Sequence, residues 1–315
     1  MNTILEVKHL KKYFETKAGL LHAVDDVSFS VEKGETLGVV GESGCGKSTL
    51  GRTIQHLLDA TDGAILFKGR DVTHLSKRET RDFMKEVQMI FQDPYSSLNP
   101  RMTVKQIIME PLLIDGMKKK EAEAKVREMM ETVGLDTRFE NAYPNELDGG
   151  RRQRIGIARA LILKPDFIIC DEPVSALDVS IQAQILNLMQ DLQEQLGLTY
   201  IFVTHDLSVV KHISNKIAVM YLGNLVEYSE TEDLFANPAH PYTRALLASV
   251  PTIDLEKAQK IQTIAGEITS PINPKPGCRF AARCPHAMEV CFARQPEMHE
   301  VSGNHLVACH LLDKG

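Results

Sequence analysis

The sequence predicts an α/β protein with a parallel sheet at its core, a β-rich N-terminal part and an inserted helical part. Apolar runs of strand length alternate with helical patterns over much of the chain, which is typical of βα units. Residues 1–35 instead alternate short β-like runs with turns, and residues 101–160 have the periodicity of amphipathic helices. We therefore expect a core sheet that carries both additions.

The individual elements follow from these patterns. Two β-like runs predict N-terminal strands at 5–9 and 23–31. Continuous apolar runs indicate buried strands at 36–40, 87–91, 167–170, 200–204 and 216–221. Amphipathic helices are predicted at 104–114 and 119–133.

Length and composition bound the organisation of the chain. Its 315 residues predict one main domain of about 250 residues and a small appendage. Composition becomes rich in Pro, Gly and Cys after Pro251, so we place a boundary near 250–265. The predicted domains are 1–250, with a helical subdomain at about 101–160, and a C-terminal segment at 251–315. A net charge of −6 provides no global basic field for nucleic acid, which we do not expect as a partner.

The chain carries no recognisable targeting signal. Its N-terminus lacks a basic stretch followed by an apolar one, so we expect no signal peptide. No apolar run approaches the roughly 18 residues that a membrane span needs, and any membrane role is expected to go through a partner. Cys45 and Cys170 lie inside candidate nucleotide motifs and the other cysteines lie near the C-terminus, which favours a reducing compartment.

A phosphate-binding loop follows the predicted strand at 36–40. Residues 41–48 match G-x-x-x-x-G-K-[ST], and a helical pattern opens directly after them. Backbone N–H groups of such a loop surround phosphate oxygens, and the helix N-terminus adds partial positive charge. Lys47 is expected to reach the β- and γ-phosphates of ATP, and the Ser48 hydroxyl to bind Mg²⁺. The candidate nucleotide-binding residues of this loop are Gly41, Ser43, Gly44, Cys45, Gly46, Lys47, Ser48 and Thr49.

Two carboxylates end the apolar run at 167–170. Asp171 suits the shell of Mg²⁺, which prefers hard oxygen ligands. Glu172 suits the polarisation of an attacking water. Because side chains alternate between the faces of a strand, the two acids need not share one task.

Taken in this order, the motifs resemble the nucleotide-binding subunits of ATP-binding cassette (ABC) transporters. Gln92 matches the family's Q-loop, and the resemblance implies that it touches Mg²⁺ and the transmembrane partner. Residues 147–151, Leu-Asp-Gly-Gly-Arg, stand where the family has its LSGGQ signature, and residues 175–178 resemble the D-loop. His205 resembles the switch histidine that contacts the γ-phosphate. The implied catalytic residues are Lys47, Gln92, Glu172 and His205, and the signature and D-loop add Asp148, Gly149, Gly150 and Asp178 to the nucleotide site.

The resemblance also implies the fold and the base contact. It implies a P-loop cassette with a mixed-sheet core, an inserted α-helical subdomain and an N-terminal antiparallel β-subdomain, followed by a small Cys-containing C-terminal segment. Family members usually stack an N-terminal aromatic residue on adenine; Phe14 fits best by spacing and Tyr13 is the alternative. Two cassettes pair head to tail, so that each ATP lies between the phosphate loop of one and the signature of the other.

A closer resemblance comes from residues 92–100, 240–246, 277–284 and 307–310, which look like the oligopeptide, dipeptide and nickel importer ATPases. It implies a motor subunit on the cytoplasmic face of the membrane, with a second ATPase subunit, two permease subunits and an extracytoplasmic solute-binding protein as partners. An ABC ATPase of DNA repair or translation is a rival, but the chain has one cassette and no long insertion. A non-hydrolysing regulatory subunit is a second rival, although Lys47, Glu172 and His205 are intact.

The signature departs from the family pattern. Asp148 stands at the serine position and Arg151 at the glutamine position. An ionised carboxylate cannot donate a hydrogen bond to the γ-phosphate and repels its charge. Either Arg151 compensates fully, or the site that this signature completes hydrolyses slowly. We favour the second outcome, with a non-identical partner cassette.

The remaining cysteines are Cys278, Cys284, Cys291 and Cys309, in the spacing C-x5-C-x6-C-x17-C. Structural zinc sites favour pairs two to four residues apart, which are missing here. Iron–sulfur clusters accept more varied spacing, and some members of the importer family carry one in this segment. A [4Fe–4S] cluster, zinc and plain reduced thiols all remain open, with the cluster preferred.

Overall fold

The computed structural model describes residues 2–249 and 270–313. The strands are β1 (Thr3–Thr16), β2 (Gly19–Glu32), β3 (Thr36–Val40), β4 (Asp62–Phe67), β5 (Arg70–Asp71), β6 (Val87–Ile90), β7 (Phe167–Asp171), β8 (Thr199–Val203), β9 (Lys216–Tyr221), β10 (Asn224–Glu230), β11 (His299–Ser302) and β12 (His305–Val307). The helices are α1 (Lys47–Ile54), α2 (Lys77–Glu86), α3 (Val104–Ile114), α4 (Lys119–Thr132), α5 (Gly149–Leu161), α6 (Val179–Leu196), α7 (Leu207–Ile213), α8 (Thr231–Ala236), α9 (Pro241–Ala248) and α10 (Glu289–Ala293).

The chain divides into two compact units. Met1–His74 and Phe202–Gly315 form one, called here the terminal unit, and Leu75–Ile201 forms the other, called the middle unit. None of the described helices is both long enough and apolar enough to cross a lipid bilayer. The boundary expected near residues 250–265 falls wholly within residues 250–269, which lie outside the described residues.

The terminal unit contains an antiparallel sheet in the order β2-β1-β4-β5. The predicted strands at 5–9 and 23–31 were too short, because β1 and β2 each run for 14 residues. The two strands pair along their length, although the register shifts near His9 and Asp26, which have φ of 47° and 59°. These irregularities and the charged outer face obscure the alternation that marks a strand in sequence.

The terminal unit also places β11, β12, β10, β9 and β3 side by side in that order. Strand β3 is parallel to β9, whereas β9, β10 and β12 pair antiparallel. Phe280 and Tyr242 pack with residues of β9 and β10 in one hydrophobic cluster. The C-terminal residues 270–313 thus share the core of the terminal unit.

In the middle unit, β6 pairs in parallel with β7. Helix α3 occupies the predicted range 104–114 and begins at Thr103, whose side chain and that of Gln106 form a reciprocal capping box. Helix α4 ends at Thr132, one residue before the predicted end. No strand is assigned between α3 and α5, so the described residues 104–161 are helical or irregular.

Candidate functional site

The loop between β3 and α1 can exist only with glycine at two positions. Gly41 has a φ of 152°, and a Cβ there would lie 2.1 Å from the carbonyl oxygen of Met220. Gly46 has a φ of 103°, and its Cβ would lie 2.0 Å from the carbonyl oxygen of Ala23. Backbone contacts of this kind cannot yield, so β9 and β2 enforce the shape of the loop. The result is a close-fitting backbone cradle at a helix N-terminus, where anions bind.

Lys47 is the first residue of α1 and is only 5% exposed. Its ammonium group donates to the carbonyl oxygens of Gly41 at 2.8 Å and Glu42 at 3.0 Å. Cys45 is buried beside it, with its sulfur 3.7 Å from Nζ, and burial raises the pKa of its thiol. The side chain of Lys47 is therefore held across the loop by the loop itself.

The other predicted residues of this loop lie around that cation. Ser43 and Gly44 are exposed at its rim, whereas Ser48 and Thr49 are half-buried in the first turn of α1. The amide of Leu50 donates to the carbonyl oxygen of Gly46, which closes this turn. The predicted residues of this loop thus lie in one continuous stretch of chain around Lys47.

His205 lies in the same unit, directly after β8. It is exposed, and the preceding residue Thr204 donates its backbone amide to the carbonyl oxygen of Val39 at 3.1 Å. Asp206 caps α7 by accepting from the amides of Ser208 and Val209. Because β3 leads directly into the phosphate loop, this bond places His205 at the same end of the strands as the loop.

The two aromatic candidates near the N-terminus differ in their surroundings. The ring of Tyr13 stacks on that of His22, with centroids 4.0 Å apart, and its hydroxyl donates to Asp25. Burial and this hydrogen bond raise the pKa of Tyr13. The ring of Phe14 is half-buried and has the ammonium of Lys12 4.9 Å from its centroid. The ring of Tyr13 is thus committed to protein contacts.

The middle unit brings two predicted catalytic residues together. The amide nitrogen of Gln92 donates to a carboxylate oxygen of Glu172 at 2.9 Å. Glu172 has a φ of 47°, a left-handed conformation that a non-glycine residue adopts at a cost of about 1–3 kcal/mol. Asp171, one residue earlier at the end of β7, is 1% exposed. The adjacent acids therefore occupy different environments, since Glu172 is half-buried and Asp171 is buried.

The signature residues lie at the start of α5. Asp148 is its N-cap and accepts from the backbone amide of Arg151 at 2.8 Å, and the guanidinium of Arg151 pairs with the same carboxylate. Gly150 is buried, and a Cβ there would lie 2.8 Å from Ile181 in α6. Asp178, the exposed N-cap of α6, lies three residues before that contact. The signature glycines thus pack against the segment that carries the predicted D-loop.

The four C-terminal cysteines, Cys278, Cys284, Cys291 and Cys309, form no disulfide. The amide of Cys278 donates to the carbonyl oxygen of Cys291 at 2.7 Å, and the amide of Met288 lies 3.5 Å from the sulfur of Cys291. Burial raises the pKa of Cys278 to about 11, with smaller contributions from the other three cysteines. Within residues 2–249 and 270–313, however, no three His, Cys, Asp or Glu side chains are arranged to hold a metal ion.

Sequence reasoning missed the residues that support the phosphate loop. Stretches 240–246 and 277–284 served only as family markers outside ATP chemistry. Tyr242 nevertheless accepts a hydrogen bond from the amide of Glu42 at 2.8 Å, and Arg283 forms an ion pair with the Glu42 side chain. The occurrence of stretches 240–246 and 277–284 in one chain with a phosphate loop is the sequence signal that could have indicated this contact.

The loop, the strand-end acids and the altered signature define a P-loop ATPase of the cassette type. Residues 24–175 match the family described as "ABC transporter", and residues 226–291 match "Oligopeptide/dipeptide transporter, C-terminal region". The chain is 53% identical to the oligopeptide transport ATP-binding protein AppF of Bacillus subtilis (strain 168), over 98% of this chain and 97% of that protein. This chain belongs to the ATP-binding proteins of the oligopeptide and dipeptide ABC transporter family.

Solved structures agree on the cassette fold. The structure of cbiO1 from Clostridium perfringens, part of the ABC transporter complex cbiONQ, has a TM-score of 0.68 at 26% identity. The match covers 75% of this chain and 92% of the cbiO1 chain. A dimeric post-hydrolysis structure of the cassette MJ0796 bound to ADP and Pi has a TM-score of 0.66 at 28% identity. This match covers 72% of this chain and 99% of the MJ0796 chain.

Proposed function

We propose that this chain is the ATP-hydrolysing subunit of an importer for oligopeptides, dipeptides or a related small solute. The observation that carries the proposal is the phosphate loop, in which Gly41 and Gly46 leave no room for a side chain. The similarity to AppF, which is named as an oligopeptide transport ATP-binding protein, supports the solute class. The test is to reconstitute the chain with its permease and binding protein in vesicles and to measure ATP-dependent peptide accumulation.

The residues at the site fit a magnesium nucleotide. The cradle of residues 41–49 suits the phosphates, and Phe14 is proposed to stack on adenine because the ring of Tyr13 already packs on His22. Ser48, Gln92 and Asp171 would hold the ion with a hydroxyl, an amide oxygen and a carboxylate, all hard ligands. Bound magnesium supplies charge neutralisation for phosphoryl transfer.

The roles of the chain's own residues follow from phosphoryl transfer, which needs positioning and charge stabilisation more than covalent chemistry. Lys47 would face the β- and γ-phosphates with its positive charge. Glu172 would accept a hydrogen bond from the attacking water, while its carboxylate also accepts one from the side-chain amide of Gln92. His205 would donate to the γ-phosphate.

We propose that a second, non-identical cassette completes the sites. The dimeric cassette bound to ADP and Pi is the relevant precedent. Asp148 would face the partner's nucleotide with a carboxylate instead of a hydroxyl, and Arg151 offsets this charge only through the half-exposed pair seen here. The site that uses Lys47 and Glu172 would hydrolyse, and the site completed by Asp148 would turn over slowly.

Separate substitution of the catalytic glutamate in each cassette tests this asymmetry. Loss of turnover only with Glu172→Gln supports it. Equal loss from either change, or a functional homodimer of this chain, overturns it. The regulatory-subunit alternative predicts the opposite result, in which Glu172→Gln leaves transport unaffected.

Membrane attachment is proposed to go through permease subunits. None of the described helices can span a bilayer, and Gln92 would contact the transmembrane partner as the family resemblance implies. The chain would then lie on the cytoplasmic face, with two permease subunits and an extracytoplasmic binding protein. Cofractionation with membranes only when the permeases are coexpressed would support this location.

For the C-terminal cysteines, a [4Fe–4S] cluster remains our proposal, with zinc and free thiols as alternatives. In its favour, Cys278, Cys284, Cys291 and Cys309 lie in one short segment, where the amide of Cys278 donates to the carbonyl oxygen of Cys291 at 2.7 Å. Against it, their side chains do not converge as ligands in the structure. Anaerobically purified protein that contains iron and is brown would support the cluster, and colourless, iron-free protein would exclude it.

A further inference from the structure

Glu42, the second residue of the phosphate loop, is held at its amide, its carbonyl and its side chain. Its backbone amide donates to the hydroxyl of Tyr242 at 2.8 Å. Its carbonyl oxygen accepts from the ammonium of Lys47 at 3.0 Å. Its carboxylate forms two hydrogen bonds with the guanidinium of Arg283, at 2.7 Å and 3.0 Å. Glu42 therefore links Arg283, which pairs with its carboxylate, to Lys47, which donates to its carbonyl oxygen.

The position of Arg283 is itself well determined. Its side chain is 7% exposed, and it also donates to the hydroxyl of Tyr221 at 3.2 Å. Tyr221 packs edge-on against Phe280 and Tyr242, with ring centroids 5.2 Å and 4.7 Å away. A two-point guanidinium–carboxylate pair fixes orientation as well as distance. Arg283 thus presents a rigid, shielded contact to the loop.

A second arginine of the same segment attaches it beside β1. Arg279 pairs with Asp25, and both side chains are largely buried. Asp25 also accepts hydrogen bonds from Tyr13 and pairs with His22. Closer to the start of the segment, the amide of Asn273 donates to the carbonyl oxygen of Leu20 at 2.9 Å. The segment is therefore attached along the nucleotide-binding half of the terminal unit.

We propose that Arg283 is a positioning residue for ATP binding, through which the C-terminal segment holds the phosphate loop in its binding shape. Arg283 orients Glu42, and the Glu42 backbone limits where Lys47 and the following loop amides point. Preorganised donors bind an anion without an ordering cost, so loosening the loop weakens affinity first. This inference rests on the proposed ATP binding and adds that a segment outside the nucleotide motifs sets its strength.

The test compares Arg283→Gln, Arg283→Lys and Glu42→Gln with a matched control, Arg294→Gln. Arg294 lies in the same segment, but its side chain is 71% exposed and lies 3.5 Å from the carboxylate of Asp313. The assembled transporter is assayed for ATP turnover against ATP concentration, and nucleotide affinity is measured separately with a fluorescent ATP analogue. Loss of a shielded charge-assisted pair predicts a KM about tenfold higher for Arg283→Gln, with kcat changed less than about twofold.

Glu42→Gln breaks the pair from the loop side and leaves the cysteine-containing segment unaltered. We expect it to reproduce the affinity loss, and the double variant Arg283→Gln/Glu42→Gln to be no worse than either single change. Arg283→Lys should recover part of the affinity, because one charged contact remains. Arg294→Gln should match the wild type. Thermal unfolding confirms that each variant is folded.

Wild-type KM and analogue affinity in folded Arg283→Gln would overturn the positioning role, as would additive losses in the double variant. Failure of the wild-type transporter to bind or hydrolyse ATP would instead refute the proposed function. The two failures are thus distinguishable within one set of measurements.

Discussion

Gln92 and Glu172 lie 80 residues apart in the chain, and the amide of Gln92 donates a 2.9 Å hydrogen bond to the Glu172 carboxylate. This bond acts on a residue whose backbone is in the left-handed region. Strained positions of this kind persist only where the surroundings specify them. The pair therefore orients the carboxylate that is proposed to polarise water.

Glu172→Gln should retain nucleotide binding and lose hydrolysis. The amide oxygen can still accept from Gln92, but an amide is a very weak base. Removing a general base lowers rates by about 10²–10⁴-fold, and we expect ATP turnover to fall in that range with analogue affinity unchanged. Glu194→Gln, on the exposed face of α6, is the matched control. Turnover at the wild-type rate would show that Glu172 is not the base.

Lys47→Ala should abolish ATP binding at this phosphate loop. The change removes the buried cation and leaves the Gly41 and Glu42 carbonyls without their shared donor. Equilibrium binding of the ATP analogue is the measurement, with Lys120→Ala on exposed α4 as the control. Undiminished turnover in the assembled transporter would refute the assignment of this site.

The altered signature predicts that Arg151→Gln has opposite effects on ATP turnover with and without Asp148→Ser. Glu172→Gln silences the site that uses Lys47 and Glu172. The ATP turnover that remains in this variant comes from the site that Asp148 completes. Arg151→Gln alone should lower it further, because it removes the guanidinium that pairs with Asp148. Asp148→Ser with Arg151→Gln should raise it above the starting value, since serine keeps the N-cap and restores a hydroxyl donor. An unchanged rate in both variants would mean that Arg151 and Asp148 do not influence this site.

The burial of His240 predicts that the free energy of unfolding depends on pH. Burial, with a smaller contribution from Arg244, lowers the pKa of His240 to about 3 from 6.5. The unfolded chain therefore binds a proton that the folded chain excludes, and stability present above about pH 6.5 is lost as pH falls toward 3. Lowering the pH from about 7 to about 5 should cost roughly 2 kcal/mol through this residue.

The matched variant is His240→Asn. Its side chain can still accept from the amide of Tyr242, as His240 does at 3.0 Å, but it does not titrate. Denaturant unfolding at both pH values should therefore show a smaller loss for the variant than for the wild type. Parallel pH profiles would contradict the assignment.

Local chemistry accounts for the part of the fold that sequence predicted well. Strands β3 and β9 coincide with their predicted ranges because both are continuous apolar runs with buried side chains on each face. Helix α3 was also placed correctly, since Thr103 supplies a side-chain cap where the periodicity begins. Strands β1 and β2 were underestimated, because backbone pairing extends them through polar, irregular stretches that carry no apolar alternation.

The sequence by itself determined the phosphate loop, the acids at 171 and 172, and the departure at Asp148 and Arg151, because each is a fixed spacing with its own chemistry. Only the tertiary structure decided that Arg283 reaches Glu42 across 241 residues. Long side chains choose their partners by direction and burial, and neither can be read from spacing. The C-terminal segment contacts the phosphate loop because Phe280 buries its ring against Tyr242 in the core beside that loop.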